Sequence, residues 1–198
     1  GGMYNTGSSS PTLTGCAFMD NSVVEDGGGM YSTESTLTLV NCTFTNNSAD
    51  TGGGMHGDSS IPTLTNCMFT NNSASSGGGM YNAGGSSPTL GNCTFTSNSV
   101  EFNGGGMYNL DGSSPILTNC MFMDNSATGF DSTGAGMYNG AGSSPDAARA
   151  SHSASEMHVR ELRSPRVAHQ LHRCTLSHTA TSSCPPTRHR YTRPEHTT

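Results

Sequence analysis

The sequence contains no tryptophan and no lysine, and all eight of its arginines follow residue 148. Residues 1–145 therefore carry ten acidic side chains and neither Lys nor Arg. Proteins that bind nucleic acids or anionic membranes use such cations to neutralise phosphate groups. We therefore expect residues 1–145 to bind neither nucleic acid nor an anionic membrane surface.

Large apolar residues are also scarce. Leu, Ile, Val and Phe total 25 of 198 residues, a fraction that by itself is typical of disordered chains. No apolar run approaches the ~20 residues that a membrane-spanning helix needs. The chain also begins inside a repeat, at Gly1-Gly2-Met3. We expect a piece of a longer protein, with any membrane association made through parts outside this chain.

A repeat of about 26 residues argues against disorder, because the few apolar residues recur at fixed positions in it. Successive cysteines of the repeat lie 26, 25, 26 and 27 residues apart, and periods of 20 to 50 residues are typical of solenoids, propellers and arrays. Five columns align: Met3, Met30, Met55, Met80, Met107 and Met137; Leu13, Leu39, Leu64, Leu90 and Leu117; Cys16, Cys42, Cys67, Cys93 and Cys120; Phe18, Phe44, Phe69, Phe95 and Phe122; Asn21, Asn47, Asn72, Asn98 and Asn125.

The spacing inside one copy predicts three short strands. Cys and Phe are two residues apart, so both face one side of a strand, whereas Leu and Cys are three apart, which breaks the alternation. The chain must bend between Leu and Cys, at Asn41, Asn66, Asn92 and Asn119. The glycine triplets and the Asn-Ser run after Phe provide two more turns. The sequence therefore predicts an all-β fold: a right-handed parallel β-helix of five to six coils over residues 1–145.

The cysteine column is expected to be a buried ladder of reduced thiols. Neighbouring cysteines in stacked coils would be close enough for a disulfide, but parallel in-register strands give unfavourable side-chain torsions. Thiols on successive coils lie in a line, which does not suit tetrahedral zinc. No metal and no cofactor is expected.

Residues 146–198 form a tail in which the repeat stops. The pattern predicts Thr-Leu-Thr-Asn-Cys after Pro145, but the sequence gives Asp146-Ala147-Ala148-Arg149 and then becomes rich in Arg, His, Ser and Pro. Two explanations remain open: a translated frameshift, or a natural disordered basic extension. The tail also holds possible metal ligands, but their spacing matches no standard zinc pattern: His169, His172, Cys174, His178, Cys184 and His189.

The glycine and phenylalanine motifs resemble the polymorphic outer-membrane protein repeats of bacterial adhesins, which carry G-G-A-[I/L/V] and F-x-x-N. The first motif corresponds to Gly28-Gly29-Met30 and its copies, with Gly for Ala and Met for the branched residue; the second runs from Phe44 to Asn47 and recurs in all five copies. More broadly, residues 1–145 resemble pectin-lyase-like β-helix repeats. This resemblance implies a passenger region that is secreted or displayed at the cell surface, in a bacterium at the outer membrane, with a glycan or a cell-surface protein as partner.

No catalytic set stands out in the repeat, so we expect a non-catalytic structural or adhesive module. The alternative is a polysaccharide-active enzyme or a carbohydrate-binding module. Glycoside hydrolases need two carboxyls ~5–9.5 Å apart. Asp20 and Asp124 share a repeat position but lie four coils apart, about 19 Å at strand spacing. Asp26 and Asp50 are expected to be solvated charges.

Tyrosines follow the methionines and should point outward, so Tyr31, Tyr81 and Tyr108 are the candidate ligand-binding residues. An outward aromatic column can stack on sugar rings, or can simply pack on itself and stiffen the fold. The column consists of Tyr4, Tyr31, His56, Tyr81, Tyr108 and Tyr138.

Ice binding is a minor alternative, because threonine pairs flank several leucines and phenylalanines and flat threonine arrays can match an ice lattice. The pairs are Thr12 and Thr14, Thr36 and Thr38, Thr63 and Thr65, Thr43 and Thr45, and Thr94 and Thr96.

Overall fold

The computed structural model describes residues 1–130, 132–148, 151–152 and 157–159, all within one compact unit, Gly1–Val167. These residues form strands and turns. Among them there is no helix of the length and apolarity that crossing a bilayer requires. The tail residues considered above as metal ligands lie outside the described part of the chain.

Parallel strands stack coil upon coil into three long sheets, which we name by the residues they contribute to the core. The Met sheet contains Met3–Asn5, Met30–Thr33, Met55–Asp58, Met80–Ala83, Met107–Asn109, Met137–Asn139 and Met157–Val159. The Leu sheet contains Thr12–Thr14, Thr38–Val40, Thr63–Thr65, Thr89–Gly91, Ile116–Thr118 and Asp146–Ala148. The Phe sheet contains Ala17–Met19, Thr43–Thr45, Met68–Thr70, Thr94–Thr96, Met121–Met123 and Ser151–His152.

The register pairs each apolar column with itself. Leu90 pairs with Leu64 and Leu117, and the Met and Phe columns follow the same rule. Each coil thus contributes one strand to each of the three sheets. The predicted parallel β-helix with three short strands per coil is confirmed, with about five turns.

A fourth, narrower sheet was not predicted. It consists of the two-residue strands Ser73–Ala74, Ser99–Val100 and Ser126–Ala127, and single bridges extend it from Ser73 to Ser48 and from Ser48 to Ser22. These residues lie in the Asn-Ser run that the sequence predicts as a turn. Each of these strands is only two residues long, which is too short to show the alternation that marks a strand in the sequence.

The bends occur where the sequence predicts them. Asn41, Asn66, Asn92 and Asn119 all have left-handed backbone angles, with φ between +53° and +55°. Asparagine tolerates this conformation better than other residues with a Cβ. The first glycine of each triplet is also left-handed, as at Gly52, where φ is +64°.

The interior is built from four apolar columns, which confirms the predicted core. In the second to fifth coils, the Met, Leu, Cys and Phe of the columns are at most 1% exposed. Phenylalanine rings stack almost parallel, with centroids 4.7 Å apart for Phe44, Phe69 and Phe95. The four inner cysteines are buried as predicted, and all five column cysteines are free thiols in the structure.

Buried asparagines line one corner of this core. Asn72 Nδ2 donates to the carbonyl oxygen of Phe44 at 2.9 Å and to Asn98 Oδ1 at 3.0 Å. Its own Oδ1 accepts from the backbone and side-chain nitrogens of Asn47, both at 3.0 Å. The fifth column is therefore an amide ladder that satisfies buried backbone groups.

The threonine rows differ from the prediction. Thr12 pairs with Thr38, and Thr38 pairs with Thr63, so Thr36 is not part of that row. Leu37 precedes the strand, and its side chain is buried. Grouping Thr36 and Leu37 with the other Thr-Leu pairs was wrong, because the shared register runs through Leu39.

Three strands continue the sheets past residue 145. Asp146–Ala148 pairs with Ile116–Thr118, Ser151–His152 with Met121–Phe122, and Met157–Val159 with Met137–Asn139. Most of residues 146–198 lies outside the described part of the chain. The predicted division of the chain into residues 1–145 and 146–198 therefore stays a prediction.

Candidate functional site: an aromatic strip

The outward side of the Met sheet carries the aromatic column predicted from the sequence, which we call the aromatic strip. Because side chains alternate along a strand, the residue after each buried Met faces the opposite side of the sheet. The rings stack along the coils, with successive centroids 4.8 to 5.2 Å apart: Tyr4, Tyr31, His56, Tyr81, Tyr108 and Tyr138.

Stacking covers more of these rings than the sequence suggests. Tyr4 is 67% exposed, whereas His56 and Tyr138 are only 6% and 8% exposed. The candidate residues Tyr31, Tyr81 and Tyr108 fall between these extremes. Tyr81 and Tyr108 are in contact at 4.9 Å, but Tyr31 is separated from them by His56. The self-packing ladder is thus seen directly, and ligand contact by the three tyrosines stays a prediction.

A hydrogen-bonded group adjoins the strip at His56. Thr51 Oγ1 lies 2.6 Å from His56 Nδ1 and 2.5 Å from Asp26 Oδ1. His56 Nδ1 and Asp26 Oδ1 are themselves 3.6 Å apart. Thr51 is held opposite Asp26 by a parallel bridge between neighbouring coils. Asp26, which the sequence predicts as a solvated charge, is therefore part of a side-chain network.

Carboxylates lie along both borders of the strip and influence the tyrosines. Burial raises the pKa of Tyr81 to about 12, with smaller contributions from Tyr108, Asp111, Asp26 and Asp50. Burial also raises the pKa of Tyr31 and of Tyr108, and nearby carboxylates add to both shifts. The hydroxyls are therefore neutral at physiological pH, and each can donate and accept a hydrogen bond.

The His56 group does not have the arrangement of a nucleophilic catalyst. A hydroxyl beside an imidazole is the pair that activates serine and threonine nucleophiles. Here, however, the hydroxyl lies between the imidazole and the carboxylate, and the ring is buried between Tyr31 and Tyr81. No group of three or more His, Cys, Asp or Glu side chains that could hold a metal occurs among the described residues.

A cleft of about 310 Å³ lies beside the first two rings of the strip. It is lined by Tyr4 and Tyr31, by the carboxylate residues Glu25 and Asp26, and by Val23, Gly1, Met3 and Gly27. Its volume is at the lower end of the range for small-ligand pockets.

Sequence comparison agrees with this architecture. A family model described as a right-handed beta helix region matches residues 1–143. The chain belongs to the right-handed β-helix family. This family includes both enzymes and non-enzymes. Comparison of the β-helix with curated proteins and with solved structures gave no match.

The sequence predicted the strip but not the network beside it. His56 is visible as the one break in the tyrosine column. Asp26 and Thr51 each directly precede a glycine triplet, at a repeat position where the residue type varies from coil to coil. The spacing therefore places Asp26 and Thr51 opposite each other on neighbouring coils. The hydrogen bonds of Thr51 to Asp26 and His56 depend on side-chain orientation, which the spacing does not specify.

Proposed function

We propose that this β-helix is a non-catalytic adhesive module of a secreted or cell-surface protein, and that its aromatic strip binds glycans. The observation that carries the proposal is the strip itself: a row of stacked rings at a regular spacing near 5 Å, in which Tyr4, Tyr31, Tyr81 and Tyr108 are at least partly exposed. The resemblance to adhesin repeats and pectin-lyase-like repeats supports the same reading.

The chemistry of the strip favours neutral sugars over acidic ones. Tyrosine edges and hydroxyls offer apolar contact and hydrogen bonds, which suit the C–H faces and hydroxyls of a sugar ring. Asp26, Asp58 and Asp111 act electrostatically on the tyrosines, and residues 1–145 contain no Lys or Arg. Uronic acids and sulfated sugars would meet repulsion that no Lys or Arg of residues 1–145 offsets.

Binding by a repeated surface should be weak at each coil and stronger for long ligands. Each coil presents nearly the same shallow contact, so a polymer that spans several coils gains avidity without any new type of contact. We therefore expect longer oligosaccharides to bind more tightly than short ones of the same sugar.

The test is a glycan panel, assayed both for binding and for cleavage. Replacing Tyr31, Tyr81 and Tyr108 together by Ala should reduce binding at least about tenfold, because three contacts worth ~0.5–1.5 kcal/mol each are lost. The matched control is a triple Ala variant on the Leu sheet. It replaces a row of exposed threonines, Thr38, Thr63 and Thr89. It should bind like the unmodified chain. Circular dichroism must show that both variants are folded.

Two results would contradict the proposal. Equal binding by the tyrosine variant would remove the strip from the function. New reducing or unsaturated sugar ends would show that the module is an enzyme, which is the alternative function.

A further inference from the structure

His56 is the ring in the middle of the aromatic strip that is not a tyrosine. The tyrosine pairs of the strip are nearly parallel, with interplanar angles of 4° to 16°. The His56 ring is tilted by 41° to Tyr31 and by 36° to Tyr81. It is nevertheless packed between both tyrosines and is only 6% exposed. A titratable ring therefore occupies the position that connects the two halves of the strip.

The hydrogen bonds of His56 show which ring nitrogen carries a proton in both charge states. With Asp26 ionised, the Thr51 hydroxyl must donate to Asp26, because a carboxylate only accepts. The Thr51 oxygen then accepts from His56 Nδ1–H. This network places a proton on Nδ1 in both charge states of the ring, so Nε2 is the nitrogen that takes or loses the second proton.

Burial and the neighbouring carboxylates have opposite effects on the pKa at which His56 takes that second proton. Burial of the imidazole lowers the pKa of His56 below 6.5, whereas the negative charges of Asp26 and Asp58 act in the opposite direction and offset only part of this effect. From the neighbouring strands, the facing groups are the neutral rings of Tyr31 and Tyr81, and Asp50 acts on Tyr81. Residues 1–145 contain no Lys or Arg that could face the ring.

We propose that His56 is a pH switch in the strip, whose protonation displaces its ring from between Tyr31 and Tyr81 and weakens ligand binding. The inference rests on the proposed function and adds its regulation. A charged imidazole is disfavoured in its buried position, so it moves toward solvent and its carboxylate neighbours. The strip is then divided into two shorter halves, and a ligand that spans both loses part of its contact.

The direction of the pH effect follows from linkage. Because the folded-state pKa lies below the unfolded value of about 6.5, the unfolded chain binds this proton first on acidification. The neutral ring's contribution to stability is complete above about pH 6.5 and is lost as the pH falls toward the folded pKa. If ligand binding requires the neutral ring, affinity falls up to about tenfold per pH unit below that pKa.

The test compares the full chain with its His56→Tyr variant between pH 7.5 and 4.5. That substitution restores the tyrosine of the other coils, and the seven histidines of the tail are the same in both proteins. Thermal melting and the affinity for the best long neutral oligosaccharide of the panel are measured at each pH. The unmodified chain should lose melting temperature and affinity more steeply on acidification than the variant. In Asp26→Asn, one charge that favours the imidazolium is removed and the folded-state pKa falls further. The affinity loss should therefore begin at lower pH, whereas the melting loss should begin at the same pH and continue to lower pH.

Each outcome decides the question. The switch is supported if melting temperature and affinity both fall more steeply on acidification in the unmodified chain than in His56→Tyr. The affinity loss must also begin at lower pH in Asp26→Asn. Parallel melting curves for the two proteins overturn it, as does a steeper melting loss with pH-independent affinity. If no oligosaccharide binds either protein at any pH, the proposed function fails and the control of binding fails with it. The melting comparison would then still show whether the buried His56 titrates.

Discussion

Asn72 shows how single side chains hold one coil on the next. It is fully buried, and its amide makes hydrogen bonds to the coil before it and the coil after it. An unpaired buried polar group costs about 1–3 kcal/mol, so a side chain that satisfies several such groups is difficult to replace. The Phe rings of the core, by contrast, contribute apolar burial and stacking.

Asn72→Ala should therefore lower the free energy of unfolding by about 3 kcal/mol or more, because the carbonyl of Phe44 and the amide groups of Asn47 lose their partner. The matched control is Asn71→Gly at the exposed turn next to it, where φ is +55° and glycine is tolerated. It should change stability by less than about 0.5 kcal/mol. Urea unfolding measures both, and similar losses would contradict the role given to the amide ladder.

The glycine triplet is the element that limits how closely the coils approach. Backbone hydrogen bonds pass through it from coil to coil, as from Gly54 N to the carbonyl oxygen of Gly78 at 3.0 Å. A Cβ on Gly54 would lie 2.5 Å from the carbonyl oxygen of Gly79 and 2.8 Å from the ring of Phe69. The backbone and the Phe ring of the neighbouring coil therefore leave no room for a methyl group at this position.

Gly54→Ala should destabilise the β-helix by about 1–3 kcal/mol, the usual cost of overpacking a tightly packed interior. Gly91→Ala is the matched control, because its Cβ would have only one neighbour within 4 Å, the carbonyl oxygen of Leu64 at 4.0 Å. Alanine in that strand should be neutral or slightly stabilising, since it reduces the entropy of the unfolded chain. Equal melting temperatures for the two variants would show that the coils can separate to admit a methyl group.

The elements differ in how far their sequences predict them. Leu90, Cys93 and Phe95 give the strands, the bend and the inward faces, because side-chain alternation and repeat spacing are local properties. The Ser99–Val100 strand has no such signal, since its pairing depends on the neighbouring coils. The same is true of the candidate site: the column of rings was predictable, but the contact of Asp26 with Thr51 and His56 was not.

At the scale of the whole molecule, the open question is where the β-helix ends. The repeat stops after Pro145, yet the backbone of Met157–Val159 pairs in register with Met137–Asn139. The coil of Met137 is itself well packed: Met137 is 3% exposed, and Tyr138 stacks on Tyr108 at 4.9 Å. Solenoid stability is approximately a sum over coils and their interfaces, so removing terminal strands should act step by step.

Two shortened chains test this directly, one ending at residue 149 and one ending at residue 133. The first removes Ser151–His152 and Met157–Val159, so Met137 loses its paired strand, and the melting temperature should fall by a few degrees, ~2–4 °C per kcal/mol lost. The second also removes the Met137 coil and should melt lower still, because burial of Met137 is worth about 1.5–3 kcal/mol. Circular dichroism of the two shortened chains and of the full chain measures the melting midpoints.

An unchanged midpoint for the chain ending at residue 149 would mean that the pairing of Met157–Val159 contributes nothing to stability. The end of the β-helix would then lie near residue 145, as the sequence predicts.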